Sequence, residues 1–416
     1  MRSARERGPH IAASRKIGTL ALALILGCAA PAARADAVLD WNAIAADLPI
    51  PAPPVMARVM AAMHGAMFDA VNSVEARYTP YRFAVPAAPG ASIEAAAAAA
   101  AHGVLVKLVP AQKARFDEAL AASLKKVPDG AAREGGMAVG AAVAEKMAGW
   151  RANDGFAAKA SDNPGTEPGV WQRTPPGMAP GVLPQLGSVV PFGIKSATHV
   201  APRPAITSAE FLRDYNEVKA YGGRTSTART AEQTAIALFW SGNEVPMWNA
   251  AARAASQARK LSTAENARLF ALMHIAGIDA GIVAFKVKYT NNDWRPITAI
   301  RNGKQTGNSA IEADANWESL LVTPPHPEFP SGHCILSGAY ERVLREIFQS
   351  DEVRFSYVYP PGLGMMRSYT SFSQMAREVE DSRVWGGIHF RSTDERSTEL
   401  GRTIGAFVIS THMLPR

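Results

Sequence analysis

Cysteine is nearly absent from this chain: two residues in 416, Cys28 and Cys334. A disulfide framework is excluded as the source of stability, so buried apolar surface has to hold the fold. Long apolar runs are scarce too. After residue 30 no stretch of 18 or more uncharged apolar residues occurs, which argues against a transmembrane span in the mature chain. Alternating apolar and polar positions, the mark of half-buried strands, are nearly missing, and there is no internal repeat. An excess of one charge sign is also lacking. Of the formal +7, +5 falls in residues 1–35 (six Lys and Arg against one Glu), leaving +2 over the other 381 residues. With no basic run interleaved with aromatics, nothing favours nucleic acid as a partner.

What is present first is an address. Arg2, Arg5, Arg7, Arg15 and Lys16 precede an uncharged apolar stretch over 17–30, and Ala33-Arg34-Ala35 follows as a small-x-small cleavage signal. Residues 1–35 read as a signal peptide, so the protein is expected in the periplasm or secreted. Leu26-Gly27-Cys28 is an imperfect lipobox, which keeps lipid anchoring at Cys28 as a minor alternative.

Helical periodicity dominates the rest. Met56, Met60, Met63, Met67, Val71 and Val74 recur at spacings of three and four, on one face of a core-facing helix. The Ala-rich stretch 92–108 stops before Pro110, and 111–125 and 130–150 keep helical composition. These segments predict an N-terminal bundle over 36–161. Nine prolines and many glycines rule out regular structure over 162–205. So long a segment either lines an active-site mouth or links two bundles. A C-terminal bundle is predicted over 206–416. Ser262-Thr263-Ala264-Glu265 is a capping-box pattern heading a long helix towards Lys288, apolar on most sides and therefore central. Ser371-Phe372-Ser373-Gln374 heads another, ending near Val384. The fold class is all-α.

Three segments of the last third carry chemistry. Lys288 is followed after six residues by Arg295-Pro296; Pro330-Ser331-Gly332-His333 comes next; Ser382-Arg383 precedes His389 by five residues. Lys288 offers a compact cation, and Arg295 and Arg383 offer planar donor forks suited to a phosphate-like anion. Ser331-Gly332-His333 opens a helical run, where unpaired N–H groups and the helix dipole favour an anion and Gly332 lets the main chain approach. His389 also precedes a helical stretch. Of two histidines, one can bond to a central atom while the other moves protons. Asp69, His274, Asp279 and Cys334 read as structural.

In order and spacing, the three segments resemble the signature of the superfamily that joins type 2 phosphatidic acid phosphatases, bacterial acid phosphatases and vanadium haloperoxidases. The flanks NARLFALMHIAGIDAGIVAFKVKYTNNDWRP (266–296), PPHPEFPSGH (324–333) and HGAMFDAVN (64–72) are similar to the haloperoxidase branch, and the resemblance runs over roughly 55–411. It implies a helical-bundle fold and an enzyme with vanadate as cofactor, competed by phosphate. Lys288, Arg295, Ser331, Gly332 and Arg383 would hold the oxyanion oxygens, with Lys288 also polarising bound peroxide. His389 would be the axial ligand of vanadium, or the nucleophile towards a phosphoester, and His333 the general acid-base. Hydrogen peroxide, a halide and a small organic acceptor would be the partners.

Some positions depart from the family pattern. The Asp common four residues after the last His is Thr393 here, with Asp394 next, so either could orient His389. Asn243 is expected opposite His333, where many members carry an acid. His326, seven residues before His333, leans towards bromide or iodide over chloride, and His326, Phe285 and Asn243 are expected to line the halide or substrate pocket. Two other functions stay open: an exported acid phosphatase working through a phosphohistidine, and a non-catalytic oxyanion-binding protein. The intact pair His333 and His389 speaks against the last, since anion binding alone needs neither.

Overall fold

In the computed structural model, which describes residues 36–195, 200–359 and 364–416, helices begin where side chains or prolines allow them to. The expected signal peptide and Cys28 lie outside the described residues. Asp36 caps α1 (Ala37–Ala46) by accepting from the N–H groups of Val38 and Leu39. Pro53 and Pro54 start α2 (Pro53–Glu75), whose methionine stripe is buried throughout. Ser92 caps α3 (Ile93–Leu108); α4 (Lys113–Leu124) and α5 (Ala131–Ala152) follow, and α3 packs along α5.

After the Pro/Gly-rich segment come α6 (Ala209–Tyr221), α7 (Ala231–Phe239), α8 (Val245–Arg259) and α9 (Thr263–Asn291). The capping box at Ser262 and Glu265 heads α9 as the sequence predicts. Among the described residues α9 alone is long and apolar enough to cross a membrane, yet 89% of its most apolar window is buried inside the protein. It is a core helix. The chain continues through α10 (Pro296–Arg301), α11 (Gly332–Phe348), α12 (Phe372–Trp385) and α13 (Arg391–Thr411). Between α11 and α12 stands an antiparallel hairpin, β1 (Glu352–Val358) and β2 (Met366–Ser371), with Phe355 opposite Tyr369. The sequence reading did not anticipate it, because two short strands carry too little alternation to stand out. The class is all-α as predicted.

The expected bundles over 36–161 and 206–416 share one core. Asp36–Arg416 forms a single unit in which α9 packs on α2, α11 and α13. Met60 and Met63 of α2 join Leu272 and Ile275 of α9 and Leu336 and Val343 of α11 in one apolar cluster. Over 162–195 the chain is a strap along α9. Trp171 N donates to Asn292 O and Val182 N to Pro325 O, while Asp279 of α9 accepts from the N–H groups of Phe192, Gly193 and Ile194. A second, smaller cluster holds Phe211, Tyr215, Trp294, Ile297 and Phe390. It holds Trp294 and Phe390, the residues next to Arg295 and His389.

Candidate active site

Lys288 stands in the last turn of α9, where a cation suits the helix dipole, and it is fully buried. Its Nζ donates to the carbonyls of Pro327 (2.8 Å) and Glu328 (2.9 Å). Arg295, also buried, occupies the N-cap position of α10, with Pro296 taking the first helical place. Its guanidinium spans two loops. Nε donates to His326 O at 2.8 Å, Nη1 to Ile388 O at 2.7 Å and to His389 Nε2 at 3.0 Å, and Nη2 to His326 Nδ1 at 2.9 Å. Arg383, in the last turn of α12, donates to Trp240 O and to Ser382 Oγ.

Ser331 is the N-cap of α11 but makes no side-chain cap bond, so the first-turn N–H groups are left for something else. His333 Nε2 donates to Gly242 O at 2.8 Å and lies 3.2 Å from Glu244 Oε2. His389 directly precedes the N-cap of α13, and its Nδ1 is 2.9 Å from Glu328 Oε1. The starts of α11 and α13 and the ends of α9 and α12 therefore bring Lys288, Arg295, Ser331, Gly332, His333, Arg383 and His389 together.

The charge balance is lopsided. Lys288, Arg295 and Arg383 are all at most 1% exposed, and among the described residues none is ion-paired to a carboxylate; that of Glu328 accepts instead from His389, Phe390 N and Thr393. Burial pushes the Lys288 ammonium well down, and the Arg295 charge adds to it. Burial likewise lowers Arg295 to about 10. His326, His333 and His389 are driven well below the usual imidazole range by burial first, then by Lys288, Arg383 and Arg295 respectively. All three rings are neutral at pH 7 in this field. What the arrangement wants is negative charge.

A family profile described as the VCPO second helical-bundle domain matches residues 268–414. A solved structure titled as the first bacterial vanadium-dependent iodoperoxidase is 27% identical, with a TM-score of 0.76, covering 91% of this chain and 96% of that one. Residues 268–414 thus match a domain of the vanadium haloperoxidases, and over nine tenths of its length the chain is similar to one of them. A holo-type bacterial vanadium-dependent chloroperoxidase shares the fold at 20% identity, with a TM-score of 0.72 over 89% of this chain and 96% of that one. The vanadium chloroperoxidase of Curvularia inaequalis is 28% identical over 187 residues. That alignment takes in 38% of this chain and spans about a third, 31%, of the relative's length.

Within this family frame, two sequence expectations need correction. Asn243 does not face His333: its side chain donates to Ile50 O and Met56 Sδ and accepts from Val245 N. It borders a cleft of about 520 Å³ with Ile50, Met56, Tyr357 and Tyr359. Glu244, one residue on and fully buried, takes the place beside His333. Nor does Thr393 or Asp394 bond to His389. Thr393 Oγ1 donates to Glu328 Oε2 at 2.9 Å, and Asp394 accepts from Cys334 Sγ at 3.2 Å. Glu328 is the group that holds the ring. Both missed carboxylates were visible as letters, one place beyond Asn243 and five before His333. Only their burial marks them, and burial is not read from a linear pattern. His326 lies in the site against Arg295, its ring 5.5 Å from that of Phe285. His274 and Asp279 serve the core: His274 Nε2 meets Asn249 Oδ1, and Asp279 ties the strap.

Proposed function

We propose that this chain is a vanadate-dependent haloperoxidase that oxidises iodide or bromide with hydrogen peroxide. The observation that carries the reading is the convergence of three buried cations, an uncapped helix start and an imidazole nitrogen, His389 Nε2, whose lone pair faces Arg295. The residues fit a tetrahedral oxyanion such as vanadate. A Cβ built on Gly332 would meet nothing within 4 Å, so there is room in front of the α11 start, and Ser331 Oγ is buried without a hydrogen-bond partner. Lys288, Arg295 and Arg383 would bind the oxygens with Ser331 Oγ and the Gly332 N–H. Arg295 only donates, so the nitrogen it reaches, His389 Nε2, carries the lone pair. That nitrogen would bond the oxyanion's central atom, with Arg295 donating to the oxygens beside it. Vanadate, when bound, supplies Lewis acidity that activates hydrogen peroxide towards halide. His333 exchanges a proton at the peroxide oxygen, held by Gly242 O and steadied by Glu244.

The halide preference is supported by His326 beside Arg295 and by the likeness to the iodoperoxidase. Export, from the pattern of residues 1–35, is part of the same proposal. The test is metal-free protein reconstituted with orthovanadate and assayed for peroxide-dependent oxidation of iodide, bromide and chloride beside phosphoester hydrolysis. Iodide or bromide turnover that requires vanadate is expected. Phosphoester hydrolysis with no halide oxidation at saturating vanadate would assign the site to a phosphatase instead.

A further inference from the structure

We propose that Glu328 is the positioning residue of His389: it fixes the imidazole as the Nδ1–H tautomer and thereby presents the Nε2 lone pair to the oxyanion's central atom. The inference rests on the reading of the site as an oxyanion site with His389 bonding that atom. Three donors of the segment 389–393 converge on the one carboxylate: His389 Nδ1 at 2.9 Å, Phe390 N at 3.1 Å and Thr393 Oγ1 at 2.9 Å. Both ring nitrogens of His389 are thus committed, Nδ1 as donor to Glu328 and Nε2 as acceptor from Arg295 Nη1. The opposite tautomer would place an N–H against the guanidinium and a lone pair against the carboxylate, two repulsive contacts in a buried site.

Glu328 also touches the other half of the site, because its backbone carbonyl accepts from Lys288 Nζ at 2.9 Å. One residue therefore links the cation that meets the oxygens to the ring that meets the central atom. Thr393, where the family often has an acid, serves as the third donor to this carboxylate rather than as a partner of the ring. The carboxylate has in effect moved from the helix after His389 to the loop before α11. It still meets the ring on the Nδ1 side, where the Thr393 hydroxyl is one hydrogen bond away.

The relocation makes the test reversible. In the anion-free full chain, nitrogen-15 NMR of His389 should report the Nδ1–H tautomer. Glu328→Ala should lose that preference and weaken binding of orthovanadate and of inorganic phosphate, read by calorimetry, about 10- to 100-fold. Glu328→Gln keeps an oxygen for Nδ1–H and can donate to Thr393, so it should retain the tautomer and lose less affinity; it also covers the case in which the alanine variant does not fold. Adding Thr393→Asp to Glu328→Ala should restore both tautomer and affinity. If Glu328→Ala folds, keeps the tautomer and binds as before, Glu328 does not position His389. Loss of affinity with an unchanged tautomer and no rescue by Thr393→Asp would leave Glu328 a packing role and overturn the proposal. Wild-type protein that binds neither anion would instead sink the oxyanion reading beneath it.

Discussion

At the scale of single residues, the two histidines are asymmetric. His389 has Glu328 behind it and Arg295 in front; His333 has Gly242 O and Glu244. Removal of His389 with alanine should abolish tight vanadate retention, since its Nε2 is the atom proposed to bond the metal. His333→Ala should keep most of the bound vanadium and lose about 10²- to 10⁴-fold in turnover, the usual worth of a positioned proton donor. Bound vanadium and turnover, measured separately on folded variants, check the division; the reverse pattern would exchange the two roles. Glu244 adds a pH signature. Burial raises its carboxyl to about 7 and depresses His333 beside it, so the pair holds one proton below about pH 7 and loses it as pH rises. Turnover that draws on His333 as donor should fall on that alkaline limb. In Glu244→Gln nothing steadies the imidazolium, and the limb should move acidic by about 1–3 units. A pH–rate profile with an unmoved limb would take Glu244 out of the proton chain. Arg295→Ala, which leaves partners and anion without the bridging fork, should weaken anion binding by about 3–5 kcal/mol in a calorimetric titration.

At the scale of elements, the site is a meeting of helix ends, so its dimensions depend on how closely the helices lie. α11 and α13 pack tightly, and Gly401 is where α13 meets the α11 backbone: an added Cβ would fall 2.0 Å from Ile335 O and 2.8 Å from Ala339 N. Gly401→Ala should cost about 1–3 kcal/mol of stability and, by prising α13 from α11, loosen vanadate as well. Ser262→Ala provides the contrast. It removes the cap of α9 at the end about 40 Å from Lys288 along the helix, and should cost about 1 kcal/mol without touching anion affinity. Thermal melts and anion titrations on both variants distinguish the two. If Gly401→Ala melts lower but binds vanadate as tightly as wild type, the helix spacing does not set the site.

At the scale of the whole molecule, burying Lys288, Arg295 and Arg383 together leaves charge repulsion inside the fold that a bound anion relieves. Phosphate at a hundredfold excess over its dissociation constant should add about 2.7 kcal/mol to stability. A thermal-shift series with phosphate and vanadate against chloride at equal ionic strength checks this. Equal midpoints in all three salts would mean that no oxyanion is held by the native state.

Much of this protein was legible before any coordinates. The helical class, the methionine face of α2 and the caps at Ser262 and Ser371 follow from spacing, because helix periodicity and caps act over three or four residues, whereas Lys288, Arg295, Ser331, Gly332, His333, Arg383 and His389 were picked out by their chemistry and by the family resemblance. What only the tertiary structure decided were matters of which distant groups share a volume. The two predicted bundles became one core because α9 buries nearly its whole circumference and needs neighbours from both halves of the chain. The Pro/Gly-rich segment became a strap because the carboxylate of Asp279 gathers its backbone N–H groups from more than eighty residues away. Asn243 and Thr393 gave way to Glu244 and Glu328 as partners of the two histidines, since a buried carboxylate is selected by geometry and by the charges around it. Local pattern determines an element; the partner of a buried charge is set by which loops the core brings within 3 Å of it.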